Sequence, residues 1–264
     1  MKKTHELILL GGLGNQLFVL FKAYKLSFTY PNDTILLNYS PILLSSRKDR
    51  SLQIEQFILR DNIILINNRT AKFRYIVIAA IFKFTNKILL AGSLNINCYF
   101  YRISYSYHQK FIKDNVSEYV LQILRPLFLS GKNNTLAIHI RRGDYLYKDH
   151  HIHGLVQVEA IINEVYYSLS KHRFDSLTIF TDSPEQIHLE QFSRFGIPVF
   201  LDPGGVSIEV FRRMCNANGI IGANSTFSFW AIIIGDPIIC SIPFQWNKMQ
   251  TSYHLGLPNL RRYN

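Results

Sequence analysis

The chain is poor in cysteine. Cys98, Cys215 and Cys240 are the three in 264 residues, widely spaced and without a Cys-x-x-Cys pair. That excludes a disulfide framework and a cysteine-rich zinc module, and it points to a reducing compartment. Long apolar runs are also missing. No window reaches the ~18 uncharged residues of a membrane-spanning helix. The nearest, Lys72 to Gly92, is interrupted by Arg74, Lys83 and Lys87. The apolar segment Leu7 to Leu10, behind Lys2 and Lys3, is too short for a secretory signal. A cytoplasmic location is therefore expected, and the Asn-x-Ser/Thr triplets at Asn68, Asn133 and Asn224 carry no glycosylation reading. Acidic residues are scarce as well: 18 Asp and Glu against 29 Lys and Arg, a formal charge of +11, with a pI near 9.6. Acidic partners follow, whether a nucleotide, a nucleic acid or an anionic membrane surface.

What is present supports folding. Hydrophobic residues make up 48% and aromatics 14%, enough for one large domain or two of moderate size, and disorder is excluded. The most informative stretch is Thr135 to Tyr145, Thr-Leu-Ala-Ile-His-Ile-Arg-Arg-Gly-Asp-Tyr. Its β-branched apolar run reads as a strand. The period of two puts His139 and Arg141 on one face and Ile138, Ile140 and Arg142 on the other. The polar cluster then falls just past a strand end, where ligands collect in open α/β sheets. Two adjacent guanidinium forks suit a diphosphate. An ion pair of Arg141 or Arg142 with Asp144 that closes the strand end fits the same residues.

Similar strand ends recur along the chain. An apolar strand, Glu6 to Leu10, stops at Gly11-Gly12-Leu13-Gly14-Asn15-Gln16, and a helix follows with Leu17, Leu20, Phe21, Tyr24 and Phe28 on one side. The third glycine of a dinucleotide fingerprint is replaced by Leu17, and a P-loop would need a lysine where Asn15 stands. What remains is a glycine turn: it either directs Asn15 and Gln16 into a cleft or packs strand against helix with no ligand. The strand Leu177 to Phe180 ends at Thr181-Asp182-Ser183-Pro184, where Asp182 serves a base or ribose, or caps a helix opened by Pro184. The strand Gly219 to Gly222 leads into Asn224-Ser225-Thr226-Phe227-Ser228 at a helix start, a phosphate seat with more hydroxyls than capping needs. A last strand, Ile238 to Ile242, precedes a tail containing Trp246. Residues 73–90 read as a core helix or as a basic helix on a membrane surface. The aromatics from Tyr99 to Tyr107 read as core or as a sugar-stacking wall. His150, His151 and His153 sit in a loop that does not supply a fixed zinc shell. The polar stretch Ser130 to Asn134 is the expected linker, and the alternation of strands and helices on either side argues for two α/β halves facing a cleft.

Four of these motifs in this order resemble the α-1,2-fucosyltransferases of glycosyltransferase family 11. They are Gly11-Gly12-Leu13-Gly14-Asn15-Gln16-Leu17-Phe18, His139-Ile-Arg-Arg-Gly-Asp-Tyr145, Phe180-Thr-Asp-Ser183 and Gly219-Ile-Ile-Gly-Ala-Asn-Ser-Thr-Phe-Ser-Phe-Trp230. The resemblance implies a GT-B-type fold of two Rossmann-like halves, an acceptor-side domain over 1–130 and a nucleotide-sugar-binding domain over 131–264. It implies a GDP-fucose donor, a galactoside acceptor and an inverting transfer that uses no divalent metal. On that pattern Gly14, Asn15, His139, Arg141, Asp182, Asn224, Ser225, Thr226, Phe227 and Ser228 would hold the donor. His139 would meet the nucleotide, Arg141 the β-phosphate and Asp182 the guanine. The residue chemistry agrees. Expulsion of a diphosphate needs positive charge beside the leaving oxygen, on which negative charge grows, and the chain has no Asp-x-Asp to hold an ion. Arg141 is the expected leaving-group residue, and Asp144 and Asp149 are the candidate bases. Expected partners extend to a lipid-linked O-antigen or other surface-glycan precursor at the inner membrane face. A donor carrying another GDP-deoxysugar on the same scaffold is the alternative. A basic nucleic-acid-binding module is a second one, against which stands the dispersal of the basic residues.

Overall fold

The computed structural model describes residues 2–9, 11–40, 42–44, 51–67, 118–143, 155–243 and 260–263. Expectations for Asp144, Asp149, the loop histidines, the aromatic stretch and the segment 73–90 lie outside them. The chain divides into two compact units, Met1–Val120 and Leu121–Asn264.

In the first unit, β1 (Thr4–Ile8), β2 (Thr34–Asn38) and β3 (Ile63–Ile66) form a parallel sheet in the order β1-β2-β3. Helix α1 (Leu13–Thr29) is the crossover from β1 to β2. It buries Leu17, Leu20 and Tyr24, as the helical spacing of these residues requires. The Tyr24 hydroxyl donates to the Phe57 carbonyl at 2.7 Å and accepts from the Leu59 amide at 3.1 Å, which ties down the connection between β2 and β3.

The second unit is built on a six-stranded, wholly parallel sheet. Its strands are β4 (Asn133–Ile140), β5 (Ser176–Thr181), β6 (Val199–Leu201), β7 (Ala217–Ile221), β8 (Ile239–Pro243) and β9 (Leu260–Tyr263). Their order is β6-β5-β4-β7-β8-β9. The strand β4 is central, and every residue from Leu136 to Ile140 is buried, as a parallel strand covered on both faces must be. One face, Leu136, Ile138 and Ile140, packs on Ile161, Ile162 and Val165 of α3 (Val158–Lys171), together with Ile179 and Phe192. Burial of each such side chain contributes about 1.5–3 kcal/mol. The other face meets α5 (Thr226–Gly235), which is apolar all round and wholly buried after its first turn. Helices α2 (Glu118–Phe128) and α4 (Ser207–Cys215) join α5 through Phe128 on Phe211 and Phe211 on Phe227, with ring centroids 5.1 Å apart in both pairs.

Four sequence expectations change. The stretch 130–134 is not a free linker: the Ser130 amide donates to Asn216 Oδ1, and Lys132 Nζ donates to the Cys215 and Ala217 carbonyls, both at 3.1 Å. The division between units falls earlier, between Val120 and Leu121. No helix follows Pro184, only a 3-10 turn, Pro184–Gln186. And the β8 strand is not the last, because β9 extends the sheet beyond it.

Candidate active site

The order of the second sheet makes a switch point. From β4 the chain moves out to β5 and β6, then returns to the other side of β4 to place β7, β8 and β9. Crossovers on either side of the break leave a crevice at the carboxyl ends of β4 and β7, the usual ligand position in such sheets. The polar motifs gather there: His139, Arg141 and Arg142 from the end of β4, Asp182 from the end of its neighbour β5, and Asn224 to Ser228 from the turn between β7 and α5.

His139 is the one polar side chain in the apolar run of β4, and it is 6% exposed. Its Nδ1 lies 2.5 Å from Ser228 Oγ, and its ring rests 5.5 Å from that of Phe227. Burial, reinforced by the charge of Arg141 and opposed by that of Asp182, pulls the imidazole down to about 4. The ring is neutral at physiological pH.

Asp182 holds the turn after β4. Its Oδ1 accepts from the backbone amides of Arg142 at 2.8 Å and Gly143 at 3.1 Å, and its Oδ2 lies 3.6 Å from Arg141 Nε. Two amides and a guanidinium fix the carboxylate. The same carboxylate holds Arg141, whose charge acts on His139, while Arg142 feels the charges of both Asp182 and Glu159 of α3. The alternation expected from the sequence is observed as far as Ile140, with Ile138 and Ile140 on the α3 face and His139 on the α5 face. Asp182, from the neighbouring strand, is an anchor of the arginine turn. It forms no cap for the turn at Pro184, since the N-cap Ser183 has no side-chain bond there. Gly143 leaves space for this carboxylate: a Cβ at that position would stand 2.6 Å from Asp182 Oδ2.

The hydroxyls divide in function. Ser225 is the N-cap of α5, accepting from the Ser228 amide at 3.2 Å. Ser228 is fully buried, bonded to His139 and to the Ala223 amide. Expected as a donor contact, Ser228 instead turns its hydroxyl into the protein. Thr226 and Phe227 are half-exposed, and Asn224 and Ser225 are buried beside them. The start of α5 thus offers the Thr226 and Phe227 backbone amides and the Thr226 hydroxyl to an anion, the Ser228 amide being taken by Ser225. Nothing in the spacing of the motif separates the inward Ser228 from the outward Thr226, since both belong to one run of hydroxyls.

In the first unit the glycine turn is a packing device as well as a candidate site. Gly11 adopts φ +70, a left-handed conformation that favours glycine. Gln16 is fully buried, donating to the Gly11 and Ser51 carbonyls at 3.1 and 2.8 Å and accepting from the Gln53 amide at 3.0 Å. It was expected to face a cleft, but its amide is consumed in fixing residues 51–53. Gly14 is buried in the first turn of α1, and Asn15 beside it is half-exposed. Among the described residues no group of three or more His, Cys, Asp or Glu is placed to hold a metal ion. Burial pushes the Cys240 thiol up to about 12 and the Cys215 thiol higher still, so neither is reactive. Among the described residues no helix is long and apolar enough to cross a membrane.

A parallel α/β sheet with an arginine, a pinned aspartate and a helix start at its switch point is a unit of the doubly wound kind with its polar groups at the usual ligand position. The chain belongs to glycosyl transferase family 11, whose model matches residues 2–252. It is similar to an alpha-1,2-colitosyltransferase of Escherichia coli, 34% identical over 104 residues. That match covers 37% of this chain and 35% of the relative, so the chain spans about a third of the curated relative it matches. Among solved structures it is similar to that of POFUT1 in complex with GDP, with 12% identity and a TM-score of 0.48 over 91% of this chain and 98% of that one.

Proposed function

We propose that the protein is an inverting α-1,2-fucosyltransferase that moves L-fucose from GDP-β-L-fucose to the 2-hydroxyl of a galactose-containing acceptor, an O-antigen or other surface-glycan precursor, without a divalent metal. The observation that carries the reading is the convergence of His139, Arg141, Asp182 and the Asn224–Thr226 turn on one switch point in a chain of this family. Two parallel α/β units agree with a GT-B type of fold. In this reading the amides at the start of α5 and Arg141 take the diphosphate. As the glycosidic C1–O bond breaks, negative charge grows on the leaving β-phosphate oxygen, and Arg141 stabilises it where a metal would otherwise stand. Asp182 holds the guanidinium in place and contributes the rest of its surface to the nucleoside. Asp144 or Asp149 takes the proton of the acceptor hydroxyl. The protein acts on the cytoplasmic side, with a lipid-linked acceptor at the inner membrane face.

A second reading has a specific support, the name of the curated relative, which describes transfer of colitose in the same linkage. The nucleotide contacts above would serve either deoxysugar.

A donor screen decides between them. GDP-fucose, GDP-colitose and GDP-mannose are offered with free and lipid-linked galactosides in EDTA, and released GDP and the product linkage are read. Transfer of fucose to O2 of galactose in EDTA is the expected result. Turnover with colitose alone would move the assignment to the second reading, and dependence on added Mg²⁺ or Mn²⁺ would overturn the arginine mechanism. Arg141→Ala is expected to lose about a hundredfold or more in turnover while remaining folded; near-normal turnover in that variant would remove Arg141 from the leaving-group role.

A further inference from the structure

Ser228 belongs to the motif but is fully buried with its hydroxyl turned into the protein, and its hydrogen bonds determine something the motif does not. A serine hydroxyl has one proton to donate and two lone pairs to accept with. Around Ser228 Oγ stand the Ala223 amide at 2.9 Å, the Ser225 hydroxyl at 3.3 Å and His139 Nδ1 at 2.5 Å. The Ala223 amide can only donate. The Ser225 oxygen already accepts from the Ser228 amide and passes its own proton to Ser228 Oγ. Both lone pairs of Ser228 are then filled. Were Nδ1 to carry a proton, three donors would crowd two lone pairs and the Ser228 proton would have no acceptor, all in a fully buried position. With Nδ1 bare, every proton has one acceptor.

We infer that Ser228 is a positioning residue that holds His139 as its Nε2–H tautomer, so that the ring offers a fixed hydrogen-bond donor to an oxygen of the bound nucleotide. The role of that donor rests on the reading of the site given above; the tautomer itself does not. The device depends on a close seat for Ser228. Gly222 provides it, because a Cβ there would lie 2.9 Å from the Ser228 Cβ and 3.1 Å from Ile242 Cγ2. The charged groups acting on the ring are Arg141 and Asp182 at the ends of β4 and β5, while α5 contributes Ser228 and Phe227. Burial keeps the ring neutral, which leaves a single N–H whose position Ser228 decides.

Histidine-labelled full chain, with the His139 signals assigned by their loss in His139→Gln, reads the tautomer directly from the two ring ¹⁵N shifts at neutral pH. The expected result is a protonated Nε2 and an unprotonated Nδ1 without nucleotide. A protonated Nδ1 or an imidazolium overturns the inference, whatever the protein binds. Ser228→Ala is expected to mix the two tautomers and weaken GDP about fivefold to tenfold. Two further variants do not touch Ser228. Gln at 139 carries its amide nitrogen near the Nε2 position and Asn near Nδ1, so His139→Gln is expected to bind GDP several-fold more tightly than His139→Asn. The reverse order contradicts the donor role of Nε2. If the wild type shows the Nε2–H tautomer and no affinity for GDP, the nucleotide reading fails and the tautomer stands.

Discussion

Asp182 and His139 show how a side chain's role is decided by its neighbours rather than by its motif. Both were recognisable in the sequence as polar residues at strand ends. Their partners were not, because each bond joins segments 40 or 89 residues apart. The sequence offers Asp144, three residues after Arg141, as the arginine's anchor, a residue outside those described; β5 brings Asp182 beside the same turn, a partner no local pattern signals. Gly143→Ala tests this arrangement. Its Cβ would stand 3.0 Å from Asp182 Cγ as well as crowding Oδ2, so the carboxylate must shift and is expected to loosen its hold on the two amides. A loss of about 1–3 kcal/mol per charge-assisted bond implies at least tenfold weaker nucleotide binding. Unchanged GDP affinity in that variant would show that the pinned turn is irrelevant to the ligand.

His139 also sets a pH dependence. Its folded-state value of about 4 lies below the ordinary 6.5. Between these two values the unfolded chain binds a proton that the folded chain refuses, so stability falls as pH drops through that window, by about 3 kcal/mol in all. Asp33 acts in the same direction. The Lys3 amide and His5 hold its carboxyl below the usual range, and the stability it gives is lost as pH falls through that lowered value. Urea denaturation at pH 7 and pH 4.5, on wild type and His139→Gln side by side, should show a smaller acid loss in the variant. Equal slopes would mean that His139 is not buried neutral.

At the scale of elements, most of the second unit was legible. The strands β4, β5 and β7 announce themselves as short apolar β-branched runs, each ended by a polar turn, and the apolar helix α5 by its hydroxyl cap. The element that escaped was β9, Leu260–Tyr263. Two arginines interrupt it, so neither alternation nor an apolar run marks it. Tertiary partners hold it instead: Arg261 Nε donates to the buried Glu164 Oε1 at 3.0 Å, its guanidinium lies 3.8 Å from the Tyr167 ring centre, and the Tyr263 hydroxyl donates to the Gly222 carbonyl at 2.8 Å. Tightness between elements is equally invisible in sequence. Gly219 in β7 leaves no space for a methyl, since a Cβ would fall 2.6 Å from Phe174 Cζ and 2.7 Å from Leu136 Cδ1. Gly219→Ala is expected to destabilise the chain by about 1–3 kcal/mol through overpacking, read as a lowered unfolding midpoint. A neutral result would mean that Phe174 and Leu136 can move apart freely.

At the scale of the whole molecule, the formal charge of +11 and the scarcity of acids are properties that composition gives directly. They favour an anionic ligand without choosing among nucleotides, nucleic acids and membranes. In the proposed function the choice rests on where the charge is placed: Arg141 and a pinned carboxylate at the switch point of a parallel sheet, in a chain of glycosyl transferase family 11. The central claim is that this strand-end cluster holds the diphosphate of a guanine nucleotide by arginine and amides in place of a metal. Calorimetric titration of GDP into wild type and Arg141→Ala, in EDTA, with ADP and UDP as competitors, tests it most directly. GDP is expected to bind the wild type under chelation, ADP and UDP far more weakly, and Arg141→Ala is expected to lose tenfold or more in affinity, about 1.4 kcal/mol or beyond. GDP binding that needs a divalent ion, or that survives the loss of Arg141 unchanged, would contradict it.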